Sequence, residues 1–125
     1  MRKKKIIVGN WKMAPQTIDE AKKTFAGIKK TAQKLRNTDT IVCPPFVFVS
    51  ELASRVSGKR CSVGGQNVFW KEEGAYTGEV SPTQLYSLGA RYVILGHSER
   101  RAMGETDEMV SKKADASLRA GLTVI

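Results

Sequence analysis

The chain has 125 residues, of which 41% are hydrophobic and 26% charged, so it suits one globular domain and not a low-complexity or fibrous protein. A net charge of +9 at pH 7 makes nucleic-acid binding a function to consider. The basic residues are scattered, however, and those of the first predicted helix alternate with acidic ones, which is typical of a solvated helix face. We therefore expect no nucleic-acid partner.

Signals for secretion, membrane insertion and cysteine chemistry are weak. The basic start of the chain is followed by only three consecutive apolar residues, at 6–8. A signal peptide needs an apolar stretch of roughly 7–15 residues and a membrane helix one of roughly 18, so we expect a cytoplasmic protein without membrane contact. Cys43 and Cys61 stand singly in apolar segments, so we predict buried free thiols and neither a disulfide nor a metal site.

Apolar β-branched runs and helical patterns alternate along the chain. In chain order, the predicted elements are a strand at 6–8, a helix at 17–35, a strand at 40–43, a helix at 48–56, a strand at 61–64, a helix at 82–88, a strand at 92–95, a helix at 106–120 and a strand at 122–125. Thr17 with Glu20, and Ser81 with Gln84, have the spacing of N-terminal capping boxes. Gly121 is expected to end the last helix.

This alternation predicts right-handed βαβ units around a parallel sheet. The strands are continuous apolar runs, as expected when both faces of a sheet are covered. We expect Ile7, Val42 and Ile94 to be inward-facing, on the side of the sheet away from the helices. Because an α/β domain rarely stops on a bare strand, we expect the architecture to continue beyond the last residue.

The polar residues that could take part in catalysis or binding directly follow the predicted strands. They are Asn10, Trp11 and Lys12 after the first strand, Gln66 and Asn67 after the third, and His97, Ser98 and Glu99 after the fourth. Ligands of parallel α/β folds bind beyond the carboxyl ends of the strands, so these side chains are expected on the functional rim. Ser98 is not expected to act as a nucleophile, because His97 is the only histidine and the glycine of a nucleophile elbow is missing.

Three longer segments resemble the triosephosphate isomerase family. VGNWKM at 8–13 is similar to its first-strand signature, the segment 66–81 to its long third loop, and YVILGHSERR at 92–101 to its histidine motif. The resemblance runs from about Lys5 to Ile125. It implies an α/β fold that is the N-terminal half of a TIM (β/α)8 barrel, about four βα units plus a fifth strand, forming one incomplete domain over residues 1–125.

The resemblance also implies an activity, the interconversion of dihydroxyacetone phosphate and glyceraldehyde 3-phosphate through an enediolate, in glycolysis and gluconeogenesis. It implies no metal and no organic cofactor. Lys12 and His97 are the implied catalytic residues: Lys12 stabilises negative charge, and His97 polarises the carbonyl and moves a proton between the two oxygens. Asn10, Trp11 and Lys12 are implied to bind the triose phosphate. In this family a helix N-terminus keeps the histidine neutral, and the turn after His97 could provide one.

Supporting roles follow from the same resemblance. Glu99 is expected to hold Lys12 through an ion pair, with Ser98 beside it in the turn. Thr77 is expected at the tip of the 66–81 loop, which enters the partner subunit's site in the family's homodimer. The family's catalytic glutamate, lid and phosphate-binding loops belong to strands six to eight, so we expect the isolated chain to be inactive. Neither Glu105 nor Glu108 is expected to replace that glutamate.

Other interpretations stay open at this stage. A half-barrel could serve as a non-catalytic module that binds phosphorylated sugars or another protein, and nucleic-acid binding ranks third. Trp11 has the alternative role of packing below the site.

Overall fold

The computed structural model describes residues 3–125, and within them five parallel strands form one sheet in chain order. The strands are β1 (Lys5–Asn10), β2 (Thr38–Cys43), β3 (Cys61–Gly65), β4 (Tyr92–Val93) and β5 (Thr123–Val124). The helices are α1 (Ile18–Ala32), α2 (Phe46–Ala53), α3 (Pro82–Ser87), α4 (Ser98–Ala102) and α5 (Asp107–Arg119). Parallel strands in sequential order, separated by helices, form the N-terminal half of a TIM barrel, which confirms the predicted fold class.

The two faces of the sheet pack in different ways. Val42 belongs to the large core that includes buried residues of α1 and α2, whereas Ile41, Cys43 and Ile94 form a separate cluster on the other face. The prediction of an inward-facing residue is therefore right for Ile94 and wrong for Val42. It is also wrong for Ile7, which lines a groove with residues of α1. Continuous apolar runs do not reveal which alternate residue faces the helices.

Helix α1 begins where its capping signal predicts. The Thr17 hydroxyl oxygen accepts a hydrogen bond from the Glu20 main-chain N–H at 3.3 Å. The helix buries Ala21, Phe25 and Ala32 against the core. It ends at Ala32, short of the predicted end at residue 35, because the chain then tightens into turns in which the Leu35 main-chain N–H donates to the Ala32 carbonyl at 3.1 Å.

Helix α3 has the complete capping box. The Ser81 hydroxyl accepts from the Gln84 main-chain N–H at 3.0 Å, and the Gln84 side chain accepts from the Ser81 main-chain N–H at 2.9 Å. Gly89 follows the helix with φ +104°, a conformation that favours glycine. Helix α4 was predicted only as a turn, because five residues are too few for a helical period to be visible.

Three further properties of the described residues bear on function. No helix within residues 3–125 is long and apolar enough to cross a membrane. Cys43 and Cys61 are both buried free thiols. Within the same residues, no group of three or more histidine, cysteine or carboxylate side chains is arranged to hold a metal ion.

Candidate active site

A cleft of about 410 Å³ lies beyond the carboxyl ends of the strands. Its lining includes Asn10 at the end of β1 and Lys12 just after it, Gln66 after β3, and His97 and Glu99 after β4. The parallel sheet brings these segments to one edge, although Asn10 and Glu99 are 89 positions apart in the sequence. Four of the predicted site residues, Asn10, Lys12, His97 and Glu99, are thus neighbours in one cleft.

Lys12 has an unusual main-chain conformation. Its φ of +54° is the only positive φ of a non-glycine residue within residues 3–125. Such a conformation costs about 1–3 kcal/mol and persists only where the surroundings enforce it. The Asn10 side-chain oxygen accepts from the Lys12 main-chain N–H at 2.9 Å, an Asx turn that bends the chain at the end of β1. Local strain therefore coincides with the predicted catalytic lysine.

The Lys12 ammonium group forms an ion pair with Glu99. Nζ lies 2.8 Å from Oε1, and both side chains are more than half exposed. The hydrogen bond from Lys12 is the largest influence on the Glu99 carboxyl and lowers its pKa, so the carboxylate is charged at neutral pH. An ammonium has three donors, and Glu99 uses one of them. Glu99 therefore orients the charge of Lys12 at the rim of the cleft.

The His97 ring is held by the start of α4. His97 is the N-cap of this helix, and its Nδ1 accepts from the Glu99 main-chain N–H at 3.1 Å. A main-chain N–H can only donate, so Nδ1 carries a lone pair and the ring hydrogen is on Nε2. The Glu99 carboxylate is 3.7 Å from Nδ1, too far for a hydrogen bond. This contact leaves the Nε2–H of the ring as the donor that can face the cleft.

Three predicted site residues lie outside this group. Trp11 packs against the hydrophobic core, which is its alternative interpretation, and its main-chain N–H donates to the Cys43 carbonyl at 3.0 Å. Ser98 is the exposed first residue of α4. Thr77 is exposed in the 66–81 loop. None of the three is among the described residues that line the cleft.

The carboxylates after α4 are engaged elsewhere. Glu105 is buried and pairs with Lys113, whose Nζ also donates to the Asn67 side-chain oxygen at 2.9 Å. Glu108 is exposed and lies 3.3 Å from Lys112. Neither Glu105 nor Glu108 lines the cleft, so the structure places no base at either position.

Gln66 is a site residue to which the sequence analysis gave no role. Its side-chain amide donates to the Lys12 carbonyl at 2.8 Å and to the Cys43 carbonyl at 2.9 Å. The available signal was a polar residue directly after the buried strand β3. That signal places Gln66 on the rim, but it does not reveal its partners.

Known proteins are similar to this chain over almost its whole length. The family model described as triosephosphate isomerase matches residues 5–125. Triosephosphate isomerases of Thermoanaerobacter pseudethanolicus and Moorella thermoacetica are 45% and 46% identical over 121 residues, which cover 96% of this chain and 48% of each relative. The chain thus spans about half the length of the curated relatives it matches. It belongs to the triosephosphate isomerase family.

Proposed function

We propose that this chain supplies the electrophilic side of a triosephosphate isomerase site. The reaction interconverts dihydroxyacetone phosphate and glyceraldehyde 3-phosphate through an enediolate, in cytoplasmic glycolysis and gluconeogenesis, and needs no metal ion or organic cofactor. One observation carries the proposal: the Lys12 ammonium group and the His97 ring line the same cleft, and both are held by Glu99.

Each donor has a task in this reaction. Removal of a proton from the carbon beside a carbonyl builds negative charge on the carbonyl oxygen, and donors aimed at that oxygen stabilise the transition state. In the proposed mechanism Lys12 provides positive charge and Asn10 binds near the reacting carbons. The Nε2–H of His97 donates to the oxygen, and the ring then moves a proton between the two oxygens.

The base that takes the carbon-bound proton is proposed to lie outside these residues. After the proton has moved between the oxygens, the same base returns a proton to the adjacent carbon, which completes the isomerisation. The family's catalytic glutamate would supply this group. The isolated 125-residue chain is accordingly proposed to bind but not to turn over a triose phosphate.

We also propose that the active protein is a homodimer formed through the 66–81 loop. Three aromatic side chains support the shape of this loop: the Phe69 ring centroid lies 4.2 Å from that of Trp70 and 4.6 Å from that of Tyr76. Thr77 next to them is exposed, as a residue that reaches a partner subunit must be.

The test uses the intact protein that carries this chain. Lys12→Met and His97→Gln should each lower kcat/KM for glyceraldehyde 3-phosphate by about 10²- to 10³-fold, the usual loss when one charge-stabilising donor is removed. Lys4→Met is the matched control, because Lys4 is equally exposed and forms an ion pair with Asp39 at the opposite end of the sheet. Full activity in Lys12→Met or His97→Gln would refute the proposal.

A further inference from the structure

The turn at Lys12 requires support that its own sequence does not supply. The left-handed φ of +54° is disfavoured for lysine, and the Asx bond from Asn10 fixes only the N–H side of the residue. Asn10 is also part of the same strand end, so this bond does not fix where the turn lies relative to the rest of the sheet. The carbonyl side of Lys12 needs a partner from elsewhere in the fold.

Gln66 is that partner. Its Nε2 group has two hydrogens, and the two acceptors within reach are the Lys12 carbonyl at 2.8 Å and the Cys43 carbonyl at 2.9 Å. Both acceptors are oxygens, so the amide has only one favourable orientation. The Cys43 carbonyl at the end of β2 also accepts from the Trp11 main-chain N–H at 3.0 Å. Gln66 therefore connects the ends of β2 and β3 to the turn that carries Lys12.

We propose that Gln66 is a positioning residue, which holds the main chain of Lys12 in its left-handed conformation and so keeps the Lys12 ammonium group beside Glu99 at the cleft. The main-chain carbonyl and the side chain of Lys12 leave the same strained residue, so a change at the carbonyl redirects the side chain. The effect of Gln66 on turnover rests on the proposed function, whereas its effect on the position of Lys12 does not.

The experiment measures the Lys12–Glu99 pair directly in the intact protein that carries this chain. Glutamate side-chain carboxyl carbons are labelled with 13C, the Glu99 signal is assigned with Glu99→Gln, and its pKa is followed by NMR. Lys12→Met gives the value without the ion pair. Gln66→Met keeps the length of the side chain and removes both donors. We expect the Glu99 pKa in Gln66→Met to rise most of the way to its value in Lys12→Met.

Two further variants make the result specific. Gln16→Met is the matched control, because the Gln16 side chain donates to the Met13 carbonyl at 3.1 Å, one residue beyond Lys12, and should leave the Glu99 pKa unchanged. Gln66→Asn keeps the amide but is too short to reach both carbonyls. Gln66→Asn should therefore also raise the Glu99 pKa towards its value in Lys12→Met. If Gln66→Met does not fold, the Glu99 pKa in Gln66→Asn tests the positioning role.

Turnover provides the second readout. If the proposed function holds, Gln66→Met should lower kcat/KM by about 10- to 100-fold, the scale of loss from a small misplacement of a catalytic group. A Glu99 pKa that stays at its wild-type value in the folded Gln66 variants would overturn the positioning role, whatever the activity. A raised pKa in a protein whose wild type has no isomerase activity would support the positioning role and reject the proposed function.

Discussion

At the scale of single residues, Glu99 connects the two proposed catalytic donors. Its carboxylate orients Lys12, and its main-chain N–H fixes the tautomer of His97. These two contacts use different parts of the residue, so a side-chain substitution removes the first and leaves the second. Lys12 therefore depends on the side chain of Glu99, whereas His97 depends on its main chain.

The buried thiol of Cys43 provides a pH-dependent prediction. Burial raises its pKa from the ordinary value of 9.0 to about 12, partly offset by a hydrogen bond from the Gly64 main chain. Because the folded state holds the proton more tightly, this contribution to stability is complete below pH 9.0 and is lost as pH rises towards about 12. The free energy of unfolding measured with urea should therefore fall over that pH range in the wild type. It should fall less in Cys43→Ala.

The same burial protects Cys43 chemically. A thiol reagent at pH 8 should label neither Cys43 nor Cys61 in the folded chain, since burial raises the pKa of both thiols, and should label both in urea. Rapid labelling of either thiol in the folded chain, or equal alkaline destabilisation of wild type and Cys43→Ala, would contradict the burial described for these thiols.

Four residues of the candidate cleft and the ion pair between Lys12 and Glu99 were expected from the sequence, whereas the contacts of Gln66 were not. Motifs placed Asn10, Lys12, His97 and Glu99 after strand ends, and a parallel sheet makes such positions neighbours. The strain at Lys12 and the role of Gln66 arise from a contact across 54 positions, which no local pattern encodes.

At the scale of elements, the two capping signals should differ in strength. Ser81 is buried and takes part in both bonds of a capping box, whereas Thr17 is exposed and accepts one bond of 3.3 Å. Loss of a cap costs about 0.5–2 kcal/mol. We expect Ser81→Ala to lower the free energy of unfolding by an amount near the upper end of that range and Thr17→Ala by an amount near the lower end, both measured by urea denaturation.

Thr83→Ala serves as the control, because Thr83 is an exposed residue in the first turn of α3 and does not cap it. A Thr17→Ala variant that loses as much stability as Ser81→Ala would mean that the reciprocal bond of Gln84 contributes nothing.

Elements of strong local pattern were predicted well, and those without one were not. Capped helices and apolar strands were located to within a few residues. Helix α4 was missed as a helix, since its five residues carry no periodic signal. The side of the sheet on which Ile7 and Val42 lie was predicted incorrectly. A strand that is apolar on both faces shows no alternation of polar and apolar residues that would indicate the side.

At the scale of the whole molecule, the sheet has two apolar edges. Among the described strands, β1 pairs only with β2 and β5 only with β4. Ile6 and Ile7 of β1 are 59% and 53% exposed, and Ile125 after β5 is 42% exposed. Exposed apolar strand edges recruit other chains. We expect a polypeptide of these 125 residues to self-associate at micromolar concentration in sedimentation experiments.

A charge on the edge should weaken that association. Ile7→Lys places a cation on exposed β1 and is expected to shift the sedimentation profile towards the monomer, whereas Val47→Lys, at an exposed position of α2, is expected to leave it unchanged. A wild-type chain that sediments as a compact monomer with a cooperative thermal transition would contradict this view of the edges.

The most direct test of the proposed electrophilic half-site is complementation. The chain is co-expressed with the C-terminal half of a related triosephosphate isomerase, such as that of Thermoanaerobacter pseudethanolicus, and isomerisation of glyceraldehyde 3-phosphate is followed in a coupled assay. We predict no turnover by either part alone, turnover by the pair, loss of that turnover with Lys12→Met or His97→Gln, and its retention with Lys4→Met. Turnover by the 125-residue chain alone, or turnover of the pair that survives Lys12→Met, would contradict the account.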